Sequence, residues 1–140
     1  MSAVDRAVGR RYVVADVFTD RPFSGNQLAV VLDAEGLATD EMAAIAREFG
    51  FSETTFVLPP TDPANTARVR IFTPAGEVPF AGHPNVGTAH VLAVEQAAEG
   101  IQPPARFLFE ELAGLVPVRL IHDGGRLVAT ELTAPTPLTV

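Results

Sequence analysis

The sequence predicts an α+β domain in which a sheet curls around one central helix. Three observations point there. Runs rich in β-branched and aromatic residues lie on both sides of residues 84–97. Within that segment Val86, Ala89, Val91, Leu92, Ala93, Val94 and Ala97 leave little polar surface before Glu95, the pattern of a buried helix. Its small residues, Gly87, Ala89 and Ala93, allow sheet backbone to come close. Ordinary layering of helices on one sheet face is the other arrangement these elements permit.

Taken in order, residues 1–10 form a loose lead-in. Tyr12 to Phe18 then makes a first strand, stopped by the turn Thr19-Asp20-Arg21-Pro22. Phe23-Ser24-Gly25-Asn26 bends into a second strand, Leu28 to Leu32, with Gly25 placed where a positive φ is needed. Thr39 is read as the N-cap of a helix with Asp40 and Glu41 in its first turn, where free amides favour negative charge. Met42, Ile45, Ala46 and Phe49 give that helix one apolar face, and Gly50 ends it. Glu53 heads the strand Thr54 to Leu58, which Pro59-Pro60 closes.

After a polar turn, Ala67 to Phe72 alternates: Val69 and Ile71 point one way, Arg68, Arg70 and Phe72 the other. Thr73 to Gly82 reads as a loop. The central helix starts near His83 or Pro84, proline being tolerated in a first turn. Three strands follow, Arg106 to Leu112, Leu115 to Ile121 and Leu127 to Leu132, the last two joined by the hairpin turn His122-Asp123-Gly124-Gly125. Residues 11–134 thus form one domain, and 135–140 a tail or linker.

Composition removes several chemistries. The chain has no cysteine, so thiol catalysis and thiolate metal ligands are excluded; the absence fits a reducing, cytoplasmic compartment. The net charge is −7, all ten basic residues are arginine, and none form a run, which disfavours nucleic acid and anionic membrane as partners. No stretch matches the roughly 18 uninterrupted apolar residues of a membrane span. His83 and His90 are seven apart, about 10 Å along a helix, too far to hold one metal ion. No phosphate loop or nucleophile elbow is present.

What remains is Glu53, between a helix end and an apolar strand, together with the turn Gly82-His83-Pro84. A partly desolvated carboxylate there suits proton transfer. By spacing alone, the plainer readings are a solvent-facing glutamate and a helix-terminal histidine bonded to backbone. The start of a buried helix beside a glycine-rich loop is the firmer clue, because its free amides offer a carboxylate site.

Three ordered motifs carry a resemblance. Asp16-Val17-Phe18-Thr19 with Phe23-Ser24-Gly25-Asn26 and Leu28-Ala29-Val30-Val31 is the first. Ser52-Glu53-Thr54-Thr55-Phe56-Val57 is the second. Arg70-Ile71-Phe72-Thr73-Pro74, then Phe80-Ala81-Gly82-His83-Pro84 and Gly87-Thr88-Ala89, is the third. Together they resemble the PhzF-type family of phenazine-biosynthesis isomerases over nearly the whole chain.

The resemblance implies a diaminopimelate-epimerase-like fold of two lobes, each a mostly antiparallel barrel around a central helix, with this chain as the N-terminal lobe. It implies isomerisation without a cofactor or metal, a proton moving between carbons of a small, carboxylate-bearing and possibly cyclic metabolite. Glu53 would be the acid/base, His83 a positioning or proton-transfer residue, the Gly82 and His83 amides substrate-binding groups, and Asn26 a cleft residue. A second lobe would complete the cleft, so a homodimer or a separately encoded partner is expected. The competing expectations are a non-catalytic ligand-binding or scaffold module, or an inactive fragment of a two-lobe enzyme.

Overall fold

The computed structural model describes residues 9–19, 21 and 23–134. Most of the expected lead-in, the whole tail 135–140, and Asp20 and Pro22 of the first turn lie outside the described residues. The elements run β1 (Tyr12–Val17), β2 (Asn26–Val31), α1 (Thr39–Phe49), β3 (Glu53–Leu58), β4 (Ala67–Thr73), β5 (Gly76–Val78), α2 (Gly82–Ala98), β6 (Arg106–Glu111), β7 (Gly114–Asp123) and β8 (Arg126–Leu132).

All strands join one sheet in the order β1-β2-β3-β4-β6-β7-β8, with β5 paired to β4. Pairing is antiparallel except at β2–β3 and β4–β6, which are parallel. The mixture follows from connectivity. A hairpin such as β7–β8 pairs antiparallel across a tight turn, here Gly124 and Gly125 at φ 59° and 79°. The two parallel pairs instead span crossovers holding α1 and α2.

The sheet curls around α2, which contacts β1, β2, β3, β7 and β8. Val69, Ile71, Phe107, Phe109, Val116 and Val118 face it and pack with Ala89 and Ala93. On the outer face α1 covers Phe56 and Phe72 with Met42 and Ala46. Phe72 therefore does point away from Val69 and Ile71, as alternation requires.

Four details differ from the sequence expectation. The N-cap of α1 is Ala38, and Thr39 is the first helical residue. Glu41 does the capping, its carboxylate accepting the Ala38 N–H at 2.9 Å, while Thr39 Oγ1 instead receives a hydrogen bond from Arg70. The expected loop Thr73–Gly82 contains β5, held to β4 partly by the Arg70–Glu77 ion pair at 2.8 Å. Helix α2 is longer at both ends than 84–97. The barrel is also open: β1 and β8 end the sheet without pairing to each other, so α2 keeps an exposed stripe at His90, Val94 and Ala97. Leu92, on the opposite side of the helix, is half-buried against the core.

Candidate active site

Glu53 owes its position to two short-range features. Gly50, at φ 70°, closes α1 in the left-handed conformation and turns the chain into β3. Alternation along β3 then sends Glu53, Thr55 and Val57 to the concave side. Thr55 is tied to the helix there, its hydroxyl 2.8 Å from the buried hydroxyl of Thr88 on α2. That bond fixes the strand against the helix at one level. Toward the start of both elements, Glu53 meets His83.

His83 Nε2 lies 3.1 Å from Glu53 Oε2. The separation is that of a hydrogen bond, yet the angles of one are not met, and both atoms are withdrawn from solvent without another partner. Distance brings the pair together and alignment does not yet join it. The side chains are 17% and 11% exposed for Glu53 and His83, so one edge of the pair is open to an incoming molecule.

The helix end beside them is unusually bare. The N-cap, Ala81, has no side-chain oxygen, and the first turn holds no acidic residue. Pro84 brings no amide, so Gly82 and His83 are the first-turn amides without an intrahelical acceptor. Such donors, at the positive end of a helix, are suited to an anionic group. Close packing makes this end possible. At Gly87 a Cβ would stand 2.5 Å from Leu28 Cδ2 and 2.8 Å from Val17 Cγ2, so with glycine there α2 lies near β1 and β2 without displacing those side chains.

Phe18 completes the visible wall. Its ring centroid is 6.1 Å from that of His83, the residue is 68% exposed, and its φ is 62°. A bulky residue in the left-handed region is held there by its surroundings at a conformational cost. Gly25, at φ 76°, has Val17 O where a Cβ would sit, so the bend that follows Phe18 requires glycine.

Of the residues singled out from sequence, Glu53, Gly82 and His83 come together at one helix end. Asn26 is at the same end of the sheet, exposed at the start of β2, two residues before the Leu28 that pairs with Glu53. Among the described residues no group of three His, Asp or Glu side chains could hold a metal ion. Three features escaped the sequence reading. The Thr55–Thr88 bond and the buried Asn85 had a signal, being polar residues in apolar runs. The conformation of Phe18 had none.

Comparison with known proteins agrees with this architecture. Residues 15–140 match the PhzC-PhzF family, described as phenazine biosynthesis-like protein. An uncharacterized isomerase of Mesorhizobium japonicum is 50% identical over 135 residues, covering 92% of this chain and 42% of that protein. The trans-2,3-dihydro-3-hydroxyanthranilate isomerase of Pseudomonas aeruginosa is 42% identical over 127 residues, covering 91% of this chain and 43% of its own length. The crystal structure of a Bacillus anthracis phenazine biosynthesis protein of the PhzF family superimposes with a TM-score of 0.70 at 35% identity, over 84% of this chain and 38% of that one. The chain thus spans about two fifths of the length of the curated relatives it matches. With its motifs, its curled sheet and its central helix, the chain belongs to the PhzC-PhzF family of phenazine biosynthesis-like proteins.

Proposed function

We propose that this chain is the Glu53-bearing lobe of a cofactor-independent isomerase that moves a proton between carbons of a small carboxylate-bearing metabolite. The observation that carries the reading is the Glu53–His83 pair beside an uncapped helix N-terminus. The substrate carboxylate binds the Gly82 and His83 amides, which hold its charge without a counter-ion. Glu53 then accepts a proton from the adjacent C–H. The electron pair left behind delocalises toward the substrate's unsaturation and carboxylate, whose charge the helix end stabilises. Glu53 returns the proton to a second carbon, and His83 orients the carboxyl through the transfer. Phe18 supplies an aromatic surface for a cyclic substrate.

In this reading the open side of the pair is covered by a second lobe or subunit, from a homodimer or a separate partner. Closing it excludes water and strengthens every dipole aimed at the reacting atoms. The test is solvent-deuterium incorporation into trans-2,3-dihydro-3-hydroxyanthranilate, the substrate named for the Pseudomonas relative, with sedimentation run on the same samples. Glu53→Gln keeps the shape and removes the proton carrier, so incorporation should fall by about 10²–10⁴-fold while the thermal transition stays in place. Undiminished incorporation in the glutamine variant would remove Glu53 from the mechanism. A monomer that exchanges at an enzymatic rate by itself would remove the second wall.

A further inference from the structure

Strand β6 ends in two carboxylates that face opposite ways. Glu110, on the outer side, accepts from the amides of Thr61 (2.7 Å) and Asp62 (2.9 Å) and from Asn65 Nδ2 (2.7 Å). These donors, Asn65 foremost, pull its carboxyl down to about 2. Glu111 turns inward, toward the first turns of α2. Its Oε1 accepts a hydrogen bond from Asn85 Nδ2 at 3.1 Å, and its Oε2 is withdrawn from solvent with no donor. Asn85 is itself fully buried. Its Nδ2 also donates to the carbonyl of Ala81 at 3.0 Å, and its Oδ1 has no donor.

The site therefore holds two bare acceptor oxygens, one on each partner, in a place shut off from water. Ionised, Glu111 leaves both unsatisfied and adds a buried charge, a costly arrangement. One proton on Oε2 supplies the missing donor. A carboxylic acid and a primary amide are complementary, each offering one donor and one acceptor. The amide's half of that exchange, Nδ2 to Oε1, is already in place.

We propose that Glu111 is a positioning residue acting as a neutral acid: it holds Asn85, and through the Ala81 carbonyl it sets the turn that presents the Gly82 and His83 amides. The inference rests on the proposed function for its catalytic consequence, though its structural part stands apart from it. Burial pushes the Glu111 carboxyl up to about 7, with the Asn85 hydrogen bond opposing. On α2 the nearest titratable neighbour in sequence to Asn85 is His83. On β3 it is Glu53, at the same end of the sheet. On β4, Arg68 and Arg70 border a shallow concavity beside Glu111, with Arg70 committed to Glu77 of β5. On β7, Arg119 pairs with Glu131. Among the described residues none forms an ion pair with Glu111, so burial dominates.

The sign follows. The folded state holds this proton more tightly than the unfolded chain, whose ordinary value is 4.5. The stability Glu111 contributes is complete below that value and is lost as pH rises through about 7.

The experiment is NMR on the full chain with ¹³C-carboxyl glutamate, from about pH 5 to about pH 9. The Glu111 signal is the one missing in Glu111→Gln. Its midpoint should lie near neutrality, and the Asn85 side-chain and Gly82 backbone amides should shift with it. Glutamine carries the same donor and acceptor as the protonated acid, so Glu111→Gln should show the low-pH spectrum of this turn throughout. Any shift arising from His83 persists in both proteins and is subtracted. In deuterium exchange, Glu111→Gln should keep kcat/KM within about twofold of the parent at low pH, while Glu111→Leu loses about tenfold or more, chiefly in kcat. A Glu111 midpoint in the ordinary carboxylate range, amides blind to its titration, or a glutamine variant as perturbed as the leucine one would overturn the proposal. A chain inactive in exchange would count against the proposed function alone, and the NMR result would still decide this one.

Discussion

The two helices are built on opposite plans. Helix α1 is amphipathic, lies on the outer face of the sheet and satisfies its own ends: Glu41 returns to the Ala38 amide, Asp40 and Glu41 face the positive end, and Gly50 closes the last turn. Helix α2 is apolar on nearly every side, and its first turn carries neither a side-chain cap nor an acidic residue. A helix that caps itself has nothing left to bind with. Leaving α2 uncapped costs stability, and it places two free amides beside Glu53 and His83. The contrast singles out one end of one helix as the candidate site.

Four substitutions can break or sharpen that contrast. The largest effect is expected at Met42, the fully buried anchor of α1: Met42→Ala should cost about 2–5 kcal/mol in urea denaturation. Leu92→Ala on α2 should fall below that range, because Leu92 is only half-buried, beside a cavity it lines with Leu32, Val57, Leu58 and Ala67. A Leu92 loss equal to the Met42 loss would mean that this cavity is closed in solution.

A smaller effect is expected at Gly87. An added methyl must displace Leu28 and Val17, so Gly87→Ala should destabilise by about 1–3 kcal/mol, against about 1 kcal/mol gained in helix propensity. A net gain in melting temperature would show that the helix–strand contact is loose.

The smallest stability effect should come with the opposite sign. Ala81 has the extended backbone of an N-cap, φ −154° and ψ 142°. Ala81→Asp supplies the missing cap and should stabilise by about 0.5–1 kcal/mol. It also fills the anion site, so deuterium exchange should fall sharply through KM. A variant both more stable and equally active would separate the bare helix end from substrate binding.

Much of this was legible in the chain. The alternation Val69, Ile71 against Phe72 reported the two faces of the sheet, and the apolar run from Val86 reported the central helix. Glu53, Gly82 and His83, which the structure brings together, were marked by motif. Less visible were features set by distant partners. Glu41, not Thr39, caps α1, because Thr39 is drawn to Arg70 across 31 positions of chain. Strand β5 is only three residues long, and its place depends on Glu77 reaching Arg70. Glu111 drew no notice in the sequence, since its partner Asn85 lies 26 positions away.

The arrangement of strands around α2 also governs how the chain can assemble. The helix rests against both the first and the last strands, residues 12–17 and 126–132, which end the sheet without meeting. Its apolar surface cannot be covered until segments more than a hundred positions apart have converged. The β7–β8 hairpin, with its two-glycine turn, is a local event on a scale of about 1–10 μs. Enclosing α2 is a non-local one, and chains dominated by such contacts fold in milliseconds to seconds. The same helix whose first turn bears the proposed site therefore sets the pace of folding, and substitutions in β1 or β8 that leave that site untouched should register as slower refolding.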